Sequence, residues 1–150
     1  MYWIAAIALI VCGAMAAASL IVAKKPDAQK LLDKLLPYQG WIGLVVCAWG
    51  LWTIIYCLIH LGDVMTAVRY GMGARYLVYW ISWLASGVLQ AGLGFLLGFS
   101  LISQFVLSKN PEAAKKGEAL RAKLTKYQVP LGVAGIVLGL WLILGYLILL

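Results

Sequence analysis

Hydrophobic and polar positions divide the chain into four long apolar runs separated by three shorter polar connections. Residues 1–23, 40–59, 76–107 and 129–150 contain no Asp, Glu, Lys or Arg. About 20 apolar residues in a helix span the hydrocarbon core of a bilayer, and a helix satisfies its own backbone hydrogen bonds in lipid. The pattern therefore predicts an all-α integral membrane protein with four transmembrane helices.

Part of this pattern occurs twice. The motif YQxxxGxxxxxxGLWxI begins at Tyr38 and again at Tyr127. The connections that precede the two copies also begin alike, with KKPDA from Lys24 and KNPEA from Lys109. The proline in each connection is expected at the first position of a helix, where its missing N–H is not needed. Both copies cross the membrane in the same sense, so the repeat is parallel rather than inverted. The sequence thus predicts a duplicated helical hairpin.

Each predicted hairpin has a basic connector between its two membrane helices, and an outer loop joins the hairpins. The predicted bounds are 1–23, 24–38 and 39–61 within the first hairpin (1–62), 63–75 for the loop, and 76–107, 108–126 and 127–150 within the second hairpin (76–150). Apolar residues recur at helical spacing in both connectors, at Ala28, Leu31, Leu32, Leu35 and Leu36 in one and at Ala113, Gly117, Leu120 and Leu124 in the other. This spacing predicts a short amphipathic helix in each, the first lying on the membrane surface.

Charge orients the chain in the membrane. The net charge is +7, and ten of the twelve basic residues lie in the two connectors. These residues are Lys24, Lys25, Lys30, Lys34, Lys109, Lys115, Lys116, Arg121, Lys123 and Lys126. The positive-inside rule predicts cytoplasmic connectors and outer termini in a cell membrane, with the basic side chains contacting anionic lipid headgroups.

Composition excludes two other classes of protein. The chain is 65% hydrophobic and only 11% charged, whereas a soluble domain carries roughly 25% charged residues. A groove for single-stranded nucleic acid combines basic and aromatic side chains, and residues 108–126 contain no aromatic residue. We therefore expect lipids and membrane subunits as partners, and no nucleic acid.

Small residues form stripes along the predicted membrane helices. In lipid, such stripes let helix backbones approach closely. The stripe residues are Gly43, Gly50, Gly87, Ala91, Gly94, Gly98, Gly132, Gly135 and Gly139. Four short helices do not need this many small residues to pack against one another. The excess predicts association with further copies of the chain or with other membrane subunits.

Polar residues within the apolar runs are few. Gln90 is central in the third run, and Gln104 lies nearer its cytoplasmic end. A buried glutamine in a membrane helix usually bonds to a neighbouring helix, but a residue of this kind can also line a pore. Both interpretations stay open for these two residues.

Candidate chemistry is sparse. Cys12, Cys47 and Cys57 have no CxxC spacing and are interpreted as small buried hydrophobes. His60 is interpreted as an interfacial polar residue, with a haem or pigment ligand as the alternative. Trp49 is interpreted as a packing residue, although it could flank a flat ligand such as a quinone. No catalytic residue, metal site or cofactor is predicted.

The function expected from these features is structural and not enzymatic. The favoured hypothesis is a self-assembling membrane scaffold, or a small subunit of a larger membrane complex, that works through glycine-mediated helix packing. The first alternative is a homo-oligomeric channel whose pore is lined by the third helix around Gln90. The second alternative is a subunit that binds haem, quinone or pigment.

Overall fold

The computed structural model describes residues 2–71, 73–105 and 107–149, and it contains no strand within those ranges. The predicted segments also include Met1, Met72, Val106 and Leu150, which lie outside the described residues. Eight α-helices are described, with bounds α1 Tyr2–Ala16, α2 Ala18–Lys24, α3 Ala28–Leu35, α4 Gln39–Ile59, α5 Leu61–Arg69, α6 Gly73–Phe105, α7 Pro111–Thr125 and α8 Gln128–Leu149. Short 3₁₀ turns cover Leu36–Tyr38 and Leu107–Lys109. The predicted all-α class is confirmed.

Three helices are long and apolar enough to cross a bilayer. They are Ala28–Ile59, which joins α3 to α4 through the first 3₁₀ turn, Gly73–Phe105 and Gln128–Ile148. The predicted membrane character of the chain follows from these three helices. The first apolar run forms a shorter helix, Trp3–Ala16.

The first apolar run is divided at Ala17. The backbone there has φ −93° and ψ 16° and leaves the helical region. Helical hydrogen bonds nevertheless continue across the break, from the Ala17 N–H to the Gly13 carbonyl at 2.9 Å and from the Ile21 N–H to the Ala17 carbonyl at 3.1 Å. The predicted single helix over 1–23 is therefore two helices, α1 and α2, that follow one another directly.

The predicted outer loop is largely helical. Residues 63–75 were expected to be a loop, but α5 covers Leu61–Arg69 and buries Val64 to 1% exposure. Asp63 in its first turn and Arg69 in its last turn match the helix dipole. The turn itself is confined to the residues that follow, where Gly71 and Gly73 both have φ near +81°. Glycine takes this conformation without a steric penalty.

The two connectors contain α3 and α7, but they begin differently. Pro111 is the first residue of α7, as predicted, and the Asn110 side-chain oxygen caps the helix by accepting a 3.0 Å hydrogen bond from the Glu112 N–H. Pro26 instead precedes the cap residue Asp27, so the predicted first-turn position is wrong for this proline. No side chain caps the start of α3.

The apolar face of α3 is shared between two environments. Leu32 and Leu35 pack against the core of the bundle, whereas Leu31 and Leu36 are 66% and 57% exposed. The predicted surface helix is therefore partly anchored on the protein itself. Partial burial of two leucines holds the basic connector against the helices that it joins.

The bundle is built from two close helix pairs. The α4 helix packs along α6, and α1 packs along α8, with α1 and α6 touching at the centre. Leu9 of α1 and Leu93 of α6 are fully buried there. The closest partner of each of these four helices therefore comes from the other predicted hairpin.

The two ends of the bundle differ in charge. At one end, the Trp3 ring lies 5.4 Å from that of Tyr146, which brings the start of α1 to the end of α8. At the other end, a cavity of about 400 Å³ is lined by Pro37 beside α3 and by Arg121 of α7. Both basic connectors thus lie at the same end, away from the described termini.

Candidate functional site

A seam of glycines joins α4 to α6. A Cβ added at Gly98 would lie only 2.6 Å from the Leu44 nitrogen, and one at Gly43 would collide with the Gly98 backbone. At Gly94 an added Cβ would collide with the backbone of Cys47. The two backbones are so close that no side chain fits between them, as in other membrane helix pairs packed on small residues.

A second seam joins α1 to α8 in the same way. A Cβ added at Gly13 would lie 2.5 Å from the Gly132 carbonyl oxygen, and one at Gly132 would lie 2.7 Å from the Gly13 carbonyl oxygen. At Gly139 an added Cβ would lie 2.9 Å from the Ala6 carbonyl oxygen. The sequence did not identify α1 as the partner of α8, because its small residues are mostly alanines.

The closest contacts of the two seams fall at equivalent positions. Gly43 and Gly132 are 89 positions apart, and Gly13 and Gly98 are 85 positions apart. The contact of Gly43 with Gly98 in one seam therefore corresponds to the contact of Gly132 with Gly13 in the other.

A second pair of contacts has the same offsets. Gly50 meets Ala91 in the first seam, and Gly139 meets Ala6 in the second. Gly50 and Gly139 are again 89 positions apart, and Ala6 and Ala91 are again 85 apart. The two helix pairs thus share one register.

All nine predicted stripe residues lie at contacts within this one chain. The two not yet described are Gly87, where an added Cβ would lie 3.1 Å from the Thr53 Cβ, and Gly135, where it would lie 2.9 Å from the Leu93 Cδ1. The number of small residues is therefore explained by packing inside the chain. The predicted self-association stays a prediction and has to use other surfaces.

Gln90 connects α6 to α1. Its side chain is fully buried, and its Nε2 donates a 3.2 Å hydrogen bond to the Ala5 carbonyl. Its Oε1 is buried without a hydrogen-bond partner in the described part of the chain. These contacts favour the interhelical interpretation of Gln90 over the pore. Gln104, the other candidate, is exposed near the end of α6.

The sequence analysis missed a second glutamine of this kind. The Nε2 of Gln128, at the start of α8, donates a 3.4 Å hydrogen bond to the Ala16 carbonyl at the end of α1. Gln128 belongs to the repeated YQ pair. That repetition was the signal in the sequence that could have drawn attention to Gln128.

The ten basic connector residues are all exposed. Arg121 also makes a specific contact, because its guanidinium carbon lies 4.7 Å from the centre of the Phe99 ring. Phe99 is only 5% exposed, so this cation–π contact attaches α7 to α6. The other basic side chains are available to lipid headgroups or to solvent.

A cleft of about 650 Å³ lies between α4, α5 and α6, at the end of the bundle remote from the basic connectors. Its floor is formed by Thr53, Cys57 and Val64, which are at most 3% exposed. Aromatic side chains form the walls, namely Trp49, Trp52 and Tyr56 from α4 and Tyr76, Tyr79, Trp80 and Trp83 from α6. We refer to this cavity as the aromatic cleft.

Polar atoms in the aromatic cleft are few and specific. The indole Nε1 atoms of Trp49 and Trp80 are both buried, and neither has a hydrogen-bond partner among the described residues. His60 Nδ1 lies 2.9 Å from the Tyr56 carbonyl oxygen. The rings of His60 and Tyr56 also stack, with their centroids 4.1 Å apart. A carbonyl only accepts, so Nδ1 carries the proton and Nε2 of the neutral ring is an acceptor. Asp63 is the one charged residue among those lining the cleft.

The aromatic cleft unites residues that the sequence analysis considered separately. His60 and Trp49 were interpreted as unrelated interfacial and packing residues, and the structure brings both to one cavity. The missing element was α5, whose Val64 closes the floor of the cleft. A loop was predicted in its place.

The described residues form an all-helical protein, and three of its helices are long and apolar enough to span a membrane. Within the described ranges, no group of three or more His, Cys, Asp or Glu residues is arranged to hold a metal ion. No protein-family model, no curated protein and no solved structure matches the chain.

Proposed function

We propose that the chain is a non-enzymatic, four-span membrane protein that acts as a scaffold, either in assemblies of its own or as a small subunit of a larger membrane complex. The observation that carries this proposal is the pair of glycine seams. Two helix pairs held backbone to backbone form a rigid body within the bilayer, and rigidity is the property that a scaffold requires.

The fourth span would consist of α1 and α2 together. They cover Tyr2–Lys24 with one break at Ala17. At 1.5 Å per residue, this length reaches about 35 Å, which exceeds the hydrocarbon core of about 30 Å. The hydrogen bonds that continue across Ala17 support one crossing by both helices.

The duplicated hairpin is supported by the equivalent contacts in the two seams. A parallel repeat relates the two copies by an axis along the membrane normal. Such an axis carries α1 onto α6 and α4 onto α8, so the pair α4–α6 becomes the pair α8–α1. The shared offsets of 85 and 89 positions agree with this operation.

Lipid contact is supported by the shared end of the two basic connectors. All ten of their basic residues are exposed. Their concentration at one end of the bundle is expected for a cytoplasmic face, where anionic lipids attract Lys and Arg. In this orientation the described termini and α5 face outward.

Assembly would use the apolar outer surface rather than the glycine seams. The α4 helix exposes large side chains along its outer side, including Val45, Trp52 and Ile59 at 62%, 63% and 72% exposure. Packing of such surfaces against another protein is one way to bury them, and lipid is the other.

Native mass spectrometry of gently extracted protein distinguishes an assembly of identical copies from a subunit of a larger complex. A scaffold of identical copies gives a defined multiple of 16.3 kDa with lipid attached. A subunit of a larger complex gives one copy bound to unrelated chains. A lone copy under every extraction condition contradicts the scaffold.

A further inference from the structure

We propose that the aromatic cleft binds the headgroup of a quinone, which is a flat, uncharged ring bearing two carbonyl acceptors. The inference rests on the side chains that line the cleft between α4, α5 and α6. It depends neither on the proposed scaffold role nor on assembly.

Hydrogen-bond donors without acceptors indicate the ligand's polar groups. Trp49 and Trp80 line the cleft from opposite helices, and the Nε1 atom of each is buried and unpartnered in the described part of the chain. Buried polar groups in folded proteins nearly always have a partner, because an unpaired donor loses its bonds to water. A ligand with two acceptors supplies what both indoles lack, once each ring turns its N–H toward the cleft.

Charge and hydrogen bonding argue against two other classes of ligand, anions and quaternary ammonium ions. Asp63 is the only charged residue among the lining side chains, so an anionic ligand would meet repulsion and find no counter-charge. A quaternary ammonium ion suits aromatic walls, but it offers no acceptor to the indole N–H groups. The volume of about 650 Å³ falls within the usual range for small-molecule sites, roughly 300–1,000 Å³.

His60 provides a third polar contact. Its Nδ1–H is held by the Tyr56 carbonyl, which leaves Nε2 as the atom available to a ligand. Nε2 of this tautomer accepts a hydrogen bond from a hydroxyl, the group that replaces each carbonyl in the reduced quinol. His60 therefore suits the quinol, and the two indoles suit the quinone.

The position of the cleft suits a ligand that resides in the bilayer. Trp52 and Tyr56 at its edge are 63% and 48% exposed, so the cleft opens to the outside of the bundle. An isoprenoid tail could stay in lipid while the ring enters between α4 and α6. Entry from water is not required.

The test compares two flat six-membered rings of similar size, one with two carbonyl groups and one with none. Binding of tetramethyl-1,4-benzoquinone to the full chain in lipid nanodiscs is measured by calorimetry, with empty nanodiscs to subtract partitioning into lipid. 1,2,4,5-Tetramethylbenzene, which has methyl groups at the same positions of a flat ring and no carbonyl group, is the matched probe. We expect saturable binding of the quinone and none of the hydrocarbon.

Two substitutions then assign the binding to the cleft. Trp49→Phe and Trp80→Phe keep an aromatic ring and remove the donor, so each is expected to weaken binding by about three- to tenfold. Trp41→Phe is the control, because Trp41 is at the opposite end of α4, beside Phe105. It is expected to change nothing.

Three results would overturn the proposal. Equal binding of quinone and hydrocarbon would make the cleft an unspecific apolar groove. Displacement of the quinone by tetramethylammonium would make it a cation cage. An unchanged affinity in both indole variants would place the quinone elsewhere. The comparison of the two probes uses the unsubstituted protein, so it tests quinone binding even if a variant fails to fold.

Discussion

The Gln90 side chain on α6 donates a hydrogen bond to the Ala5 carbonyl on α1, at 3.2 Å. These two residues are 85 positions apart, the same separation as Gly13 and Gly98. The bond therefore joins equivalent positions of the two central helices. It lies where an axis relating two copies of a hairpin would pass.

Gln90→Leu is expected to change the free energy of unfolding by less than about 1 kcal/mol, because it removes both a buried hydrogen bond and an unpaired carbonyl oxygen. Gln90→Glu is the informative partner, since a buried carboxylate with the same reach is expected to destabilise the bundle by about 3 kcal/mol. Unfolding in mixed detergent measures both. A large loss in the leucine variant alone would contradict this account.

The same variant tests the channel alternative. Gln90 is buried within one chain, so liposomes containing the protein are expected to hold an ion gradient as well as empty liposomes do. The Gln90→Leu protein is expected to behave identically. A leak that is present with the natural chain and lost with leucine would instead support a pore lined by α6.

The glycine seams predict a sharp contrast between neighbouring glycines of α6. Gly98→Ala is expected to cost about 1–3 kcal/mol of stability, because the new Cβ overpacks against the Leu44 backbone. Gly92→Ala is the matched control, since nothing lies within 4 Å of its added Cβ. This control is expected to be neutral or slightly stabilising. Equal effects in thermal unfolding would show that the seam does not hold the helices.

Attachment of α7 to α6 is expected to depend on Arg121. Removing its cation–π contact with Phe99 by Arg121→Ala is expected to loosen α7 by about 0.5–2 kcal/mol. Trypsin cleavage after Lys115 or Lys116 should then become several-fold faster. Lys123→Ala is the control, because it removes an exposed charge from the same helix. Similar acceleration in both variants would assign the effect to charge alone.

Orientation in the membrane can be measured with single cysteines. Lys30→Cys and Lys115→Cys are expected to react with an impermeant maleimide only from the cytoplasmic side, and Tyr70→Cys only from outside. Tyr70 is 82% exposed beside the Gly71 turn. Replacing the natural cysteines with alanine removes background reaction. Labelling of the two lysine positions from opposite sides would contradict the parallel repeat and the four-span topology.

Much of the fold was predictable because lipid imposes few solutions. The absence of charge over long runs indicated helices, and the spacing of glycines such as Gly43 and Gly50 indicated close packing. The sequence did not predict which helices pair, because a stripe of small residues on one helix can pack against such a stripe on any other helix. The contact of Gly13 with Gly132 became evident only in three dimensions.

The candidate site was less predictable than the fold. The spacing of Trp49 in α4 and His60 just after it carries no sign of the cleft, since the other wall of the cleft comes from α6. The break at Ala17 and the helix at α5 were also missed. A single alanine does not mark a helix break in sequence. A short segment with a charge near each end is compatible with a loop and with a helix.

The pairing of α1 with α8 has a consequence for how the protein is made. A chain enters the membrane from its N-terminus, so α1 is inserted long before α8 has been synthesised. During that interval Gly13 lacks Gly132 and Ile136 of α8, the residues nearest to it in the complete bundle. The bundle is completed only when the last helix arrives. Two separately synthesised halves, divided at the Gly71 turn, would meet the same requirement and reconstitute one body.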